Sequence, residues 1–246
     1  MNCVILAAGY ATRLYPLTEH FPKPLLPVGE KTILDWLLDD LAKADGMEEI
    51  VLVSNHRYAE AFRSWASSRP EPIRVLDDGS EDNERRLGAV RDLALALALN
   101  ELGTEKKTLV MAGDNLLDFS LTRFLDYARE KGSSCAMRYA EPSRERLRHC
   151  GVAVVDADDR ILGMTEKSPE PPSHWVCPPF YLYTPRALRL LGPALESGCG
   201  ADAPGSFLAW VAGRLPVYAM EMPGRRYDIG DPESYEQVKK EYRGIC

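Results

Sequence analysis

The stretch from Leu6 to Leu25 holds the densest combination of groups able to handle an anion. It runs Leu6-Ala7-Ala8-Gly9-Tyr10-Ala11-Thr12-Arg13-Leu14-Tyr15-Pro16-Leu17-Thr18 and continues, after two residues, as Phe21-Pro22-Lys23-Pro24-Leu25. An apolar run that opens into small residues lets backbone N–H groups approach an anion closely. Arg13 offers a planar fork and Lys23 a point charge, and the prolines at 16, 22 and 24 stiffen the loop that carries both. Two cations on one stiff loop suit a triphosphate. A surface loop with a solvated Arg13 and Lys23 would have the same composition, so the residue types leave both readings open.

The elements that must present this loop are legible as alternating patterns. Cys3–Ala8 reads as a buried strand that breaks at Gly9, and Glu49–Ser54 as a second. Thr32 and Asp35 form a capping-box pair opening a helix whose Ile33, Leu34, Leu37, Leu38 and Leu41 share one face. A helix from about Arg57 to Ser67, a strand at Ile73–Leu76, a helix over Leu87–Leu102 closed by Gly103, a strand at Leu109–Ala112 and a helix over Leu121–Lys131 closed by Gly132 follow. Asn55 is expected to cap the helix that starts near Arg57 in preference to lining the site. This β-α-β-α order predicts a mostly parallel sheet with helices on both faces. Beyond 133 the runs 134–139, 151–155, 160–165, 180–184 and 216–221 are short and separated by turn chemistry. They are expected as antiparallel additions to the same sheet or as a small lobe beside it. Asp231 as N-cap with Pro232 at N1 starts a final helix. In open α/β sheets ligands sit beyond the carboxyl ends of the strands, and residues 9–23, 55–57, 113–115 and 228 fall at such ends.

Composition narrows the class. The 246 residues are 45% apolar and 27% charged, which excludes disordered, collagen-like and coiled-coil chains and is enough for one large α/β domain. Thirty Lys and Arg against 37 Asp and Glu leave a net charge of −7, so a dedicated nucleic-acid binder is not expected. Six cysteines, with no CxxC pair and no zinc-type spacing to a histidine, point to free thiols in a reducing compartment. The N-terminal apolar run is too short to span a membrane and lacks a basic leader; a cytoplasmic protein without membrane partners is the expectation.

The loop from Leu6 closely resembles the signature L-A-G/A-G-x-G-T-R-L-x-P-x-T followed by K-P of the sugar-1-phosphate nucleotidylyltransferase family. The resemblance continues in order along the chain. Gly113-Asp114-Asn115 is similar to the family's strand-end metal aspartate, Gly151-Val152 to its sugar-contacting glycine, Glu166-Lys167 to its E-K-P motif and Asp228-Ile229-Gly230 to the D-x-G motif with the second metal aspartate. The resemblance implies a Rossmann-like three-layer α/β sandwich forming a single catalytic domain over 1–246. Residues 1–132 would bind the nucleotide and 133–246 the acceptor. It implies a Mg²⁺-dependent in-line displacement in which the phosphate of a sugar-1-phosphate attacks the α-phosphorus of a nucleoside triphosphate and pyrophosphate leaves. In that scheme Arg13 and Lys23 are catalytic, and Leu6, Ala7, Ala8, Gly9, Thr12, Gly88 and Asp114 join them around the nucleotide. Gly151, Glu166, Lys167 and Tyr181 hold the acceptor, and Asp114 and Asp228 the metal.

Three departures stand out. Ala11 replaces the second glycine of the signature, Ser168 replaces the proline of E-K-P, and Cys177-Pro178-Pro179-Phe180-Tyr181 replaces the usual small stretch along the sugar pocket. The last opens an alternative, a cytidylyltransferase acting on phosphocholine or a phosphonate, because the aromatic residues of 175–183 could face a quaternary ammonium. A silent nucleotide-binding regulator is a third reading, disfavoured because Arg13, Lys23, Asp114 and Asp228 all remain. The nucleobase is open, and a homo-oligomer is possible.

Overall fold

The computed structural model describes residues 1–99 and 102–245. Its main sheet has ten strands: β1 (Asn2–Leu6), β2 (Glu49–Ser54), β3 (Ile73–Asp77), β4 (Thr108–Ala112), β5 (Ser134–Ala140), β6 (Gly151–Val155), β7 (Ile161–Glu166), β8 (Trp175–Val176), β9 (Phe180–Tyr183) and β10 (Val217–Glu221). In space the order is β7-β6-β8-β5-β9-β4-β1-β2-β3, with β10 pairing β5. The helices that matter here are α1 (Ile33–Leu41), α2 (Ala59–Ser67), α3 (Ala89–Leu99), α4 (Thr122–Lys131), α5 (Gly205–Ala212) and α6 (Pro232–Glu241).

Strict period-two alternation makes three layers out of this sheet. Cys3 and Ile5 of β1 join Leu52, Met111, Leu34, Phe62 and Phe124 in one core cluster, under α1, α2 and α4. Val4 and Leu6 face the other way, with Val51, Val53 and Val110, and pack on Val90, Leu93 and Leu97 of α3 and on Phe207 and Leu208 of α5. Both faces are covered, which is why β1, β2 and β4 read as continuous apolar runs.

The expected mostly parallel sheet holds for the first half of the chain, where β1, β2, β3 and β4 pair in parallel. The later strands extend the same sheet. Their pairings are antiparallel except for 217–221, which runs parallel to β5 and corrects the antiparallel expectation for that run. β9 seats itself between β4 and β5, so the two halves of the chain share one continuous sheet.

The caps follow the sequence. Thr32 and Asp35 make both bonds of a capping box on α1, and Asp231 with Ser234 does the same on α6. Asn55 Oδ1 accepts the Tyr58 N–H at 3.0 Å ahead of α2. α3 begins two residues later than expected because Gly88 sits at φ +90°, outside helical geometry. The expected extension of α3 to Leu102 lies partly outside the described residues, as does Cys246. The remaining five cysteines are free thiols, and no described helix is long and apolar enough to cross a membrane.

Candidate active site

A cleft of about 310 Å³ lies beyond the carboxyl ends of β1 and β4. Leu6, Ala7, Ala8, Gly9, Ala11, Arg13 and Lys23 form one wall; Arg86, Gly88, Ala89, Asp92, Asp202 and Pro204 form another; Asp114, Ile229 and Gly230 close a side. Of the first wall, all but Ala11 are among the candidates singled out in the sequence.

The loop is held by its carbonyls. Asn55 Nδ2 donates to Ala8 O at 3.0 Å, Thr18 Oγ1 to Ala11 O at 2.8 Å, and the Tyr58 hydroxyl to Thr18 O. Tyr10, buried at the loop's centre, donates its hydroxyl to Ser80 O at 2.8 Å. Among the described residues, the N–H groups of Ala8, Gly9, Tyr10 and Ala11 donate to no protein acceptor. The loop therefore keeps its acceptors engaged and its donors free, the arrangement an anion needs. Ala11 takes a left-handed conformation, φ 46° and ψ 44°, so the position keeps the backbone geometry of a glycine although it carries a Cβ.

The charged groups divide into free and paired. Arg13 lines the cleft and makes no ion pair among the described residues. Lys23, 8% exposed, donates to Asp114 Oδ2 at 2.6 Å. Burial works to raise the Asp114 carboxyl, but the Lys23 ammonium and Arg226 outweigh it and hold the group below the usual carboxylate range. Arg226 is a participant that sequence reasoning missed. From a short ribbon that pairs Arg226–Tyr227 with Leu116–Leu117, its Nη1 reaches Asn115 Oδ1 at 2.7 Å and Asp228 Oδ1 at 3.3 Å. That ribbon brings 114–115 and 228 together. Asp228 itself is largely exposed and stands beside the cleft, its neighbours Ile229 and Gly230 forming the lining. Two aspartates on adjoining segments are hard oxygen donors of the kind Mg²⁺ takes, with phosphate and water oxygens completing the shell. No set of three or more His, Cys, Asp or Glu side chains forms a protein-only metal cage among the described residues.

The acceptor-side residues are spread differently. Glu166 pairs across the ladder with Gly151, and a Cβ at Gly151 would lie 2.5 Å from Glu166 Oε1. Burial pushes the Glu166 carboxyl up to about 7. Lys167 adopts φ 48° and places Nζ 3.3 Å from Asp202 Oδ2, while Arg86 Nε holds Asp202 Oδ1 at 2.8 Å. Gly88 is required by packing: a Cβ there would lie 2.6 Å from Ala201 O, which, with Asp202 O, accepts the first N–H groups of α3. Thr12 is exposed and does not line the cleft.

Tyr181 needs correction as an acceptor contact. It is 1% exposed in the core beneath β9, and its hydroxyl is spent on Cys177 O at 3.1 Å. Tyr183 and Phe180 are equally buried, and the Trp175 ring is faced by the Arg138 guanidinium at 4.6 Å. The aromatic residues of 175–183 thus form core and an internal cation–π contact, and no cage for a quaternary ammonium. Arg86, Asp92, Asp202 and Pro204 were also missed. Arg86 adjoins the flagged Gly88, but nothing local marks residues 202–204, which the fold delivers from the far half of the chain.

A sheet covered by helices on both faces, with an anion-ready loop and a lysine-paired aspartate beyond its strand ends, defines an α/β protein built to hold an anion. The chain belongs to the nucleotidyl transferase family, whose model matches residues 2–244. It is 30% identical over 98% of its length to the UTP–glucose-1-phosphate uridylyltransferase AglF of Haloferax volcanii, of which the match covers 96%. It is 27% identical over 97% of its length to a UTP–glucose-1-phosphate uridylyltransferase of a Synechocystis strain, and spans 62% of that longer protein. The fold matches the crystal structure of a UDP-glucose pyrophosphorylase complexed with UDP-glucose, with a TM-score of 0.82 at 19% identity, covering 97% of both chains.

Proposed function

We propose that this chain joins a nucleoside monophosphate, taken from a nucleoside triphosphate, to a sugar-1-phosphate, releasing pyrophosphate in a Mg²⁺-dependent reaction. The observation that carries the reading is the loop at residues 8–13, with free backbone donors and an unpaired Arg13, set against the Lys23–Asp114 pair. The named relatives, uridylyl-, thymidylyl- and guanylyltransferases of sugar-1-phosphates, support it.

An oxygen of the acceptor phosphate attacks the α-phosphorus as the bond to the pyrophosphate oxygen breaks. Such a step is mostly positioning and charge neutralisation. The loop amides and Arg13 hold the β- and γ-phosphates and take up the charge of the leaving pyrophosphate. Lys23, nearly closed off from water, meets the α-phosphate. When bound, Mg²⁺ supplies charge neutralisation at the phosphate oxygens, and Asp114 and Asp228 are the carboxylates suited to hold it. Lys167 and Arg86 are cations on the acceptor side, and a neutral Glu166 can donate to an acceptor hydroxyl.

The test is pyrophosphate release with Mg²⁺ from each common nucleoside triphosphate against a panel of sugar-1-phosphates, phosphocholine and a phosphonate. Activity confined to sugar-1-phosphates supports the reading; activity only with phosphocholine or the phosphonate overturns it. Asp228→Asn is expected to lower turnover at least tenfold and to raise the Mg²⁺ concentration needed for half activity. Asp231→Asn should cost only helix-cap stability, about 1 kcal/mol. A larger loss of turnover from Asp231→Asn than from Asp228→Asn would reverse the metal assignment.

A further inference from the structure

Asp92 lies one turn into α3, lines the cleft, and is only 4% exposed. Its carboxyl faces that of Asp78. Asp78 is fixed in turn, its Oδ1 accepting the Ser80 N–H at 2.7 Å and the Ser80 hydroxyl at 2.6 Å. Two buried oxygens, Asp78 Oδ2 and Asp92 Oδ1, have no donor in the protein. One proton shared between the carboxyls satisfies both, since two carboxylates in contact cannot both stay ionised. Burial first, and Asp78 second, push the Asp92 carboxyl up to about 7. With the proton held between the pair, the remaining Asp92 oxygen can only accept a hydrogen bond, and no described residue donates to it.

The cleft therefore has two chemically different ends. Arg13 and Lys23 mark the end for phosphates. Gly88, Ala89 and Asp92 belong to the facing wall, where Arg86 and Asp202 spend their charges on each other and leave backbone, a methyl group and an acceptor without a partner. A carboxyl pair carrying one net negative charge repels phosphate and suits a flat uncharged ring that brings its own N–H.

We infer that Asp92, oriented by Asp78, reads the nucleobase by accepting one of its N–H groups, and so helps to set which nucleoside triphosphate the enzyme uses. The inference rests on the nucleotidyltransferase reading only in requiring that this cleft bind a nucleotide. A buried acceptor left unpaired penalises a base that turns a carbonyl toward it, which is how such a site discriminates.

Calorimetric binding of α,β-methylene analogues of UTP, dTTP, GTP, CTP and ATP, alongside inorganic triphosphate, tests this without turnover. The wild type is expected to prefer some bases by about tenfold or more. Asp92→Leu should weaken the preferred nucleotide about tenfold or more, level the preference and leave inorganic triphosphate unchanged; Asp92→Ala replaces it if the leucine variant does not fold. Asp78→Asn, whose amide can donate to an ionised Asp92, should keep the wild-type preference. An unselective wild type, an Asp92 variant that keeps the preference, or equal weakening of every nucleotide and of triphosphate would overturn the assignment. Selective binding without pyrophosphate release would sink the proposed reaction and leave the base reader standing.

Discussion

Ala11 shows how a single residue type can depart from a pattern while the backbone keeps to it. A left-handed conformation costs a non-glycine residue about 1–2 kcal/mol, and glycine costs about 0.5–1 kcal/mol in the flexibility lost on folding. Ala11→Gly is therefore expected to raise stability by about 0.5–1 kcal/mol, read as the urea midpoint, with activity retained. Lys23 carries a heavier load. Lys23→Ala is expected to depress kcat at least about a hundredfold, the scale for removing one group that faces developing charge. Its stability cost stays near about 1 kcal/mol because Asp114 is partly open to water. Near-normal turnover in single-turnover kinetics would remove Lys23 from the catalytic set. Arg13, Lys23 and Asp114 could be singled out because residue type and local strand-end placement mark them, and all three line the cleft. Tyr181 was misread because an aromatic run does not say which face of the strand is inward, and here the hydroxyl turns to Cys177 O inside the core. Asp92 looked like an ordinary helical residue, since its partner Asp78 lies on another element.

At the scale of elements, a small third core fastens the site together. Leu14, Leu26 and Val28 of the phosphate-side loop pack with Ile33, Leu116, Ile229, Tyr235 and Val238. The Tyr235 hydroxyl adds a 2.7 Å bond to Pro27 O. The same cluster thus sets the loop, the ribbon that presents Asp228, and α6. Ile229→Ala is expected to cost about 2–4 kcal/mol and to lower kcat/KM through both the loop and the Asp228 segment, although Ile229 carries no chemistry. A loss of stability with unchanged kcat/KM would show that the cluster does not position the site. A capping-box pair made the start of α1 legible, and an aspartate N-cap followed by proline that of α6, because these signals lie within four residues. The ribbon between 116–117 and 226–227 left no local trace, because two residues a side carry no periodicity.

For the whole molecule, the formal charge of −7 overstates the negative charge at neutral pH, because Asp92 and Glu166 are held near 7 by burial. A carboxyl with a raised folded pKa binds its proton more tightly folded than unfolded, so its contribution to stability is lost as pH rises from about 4.5 through about 7. Glu166→Gln, which cannot ionise, is expected to gain more stability over the wild type at pH 8 than at pH 5, measured by urea midpoints. Equal differences at the two pH values would mean that Glu166 titrates normally. The parallel pairing of the first strands and the helix layers on both faces followed from hydrophobic period and β-α alternation. The insertion of β9 between β4 and β5 did not, since strand order beyond neighbours is not written in any local window. That insertion has a consequence for how the protein is made. Until Phe180–Tyr183 leaves the ribosome, the apolar edge of Thr108–Ala112 has no partner, and the nascent chain presents an open template for association with its neighbours. A fragment ending near residue 132 keeps that edge bare, and its fate in the cell would depend on chaperones more than on its own well-formed α/β layers.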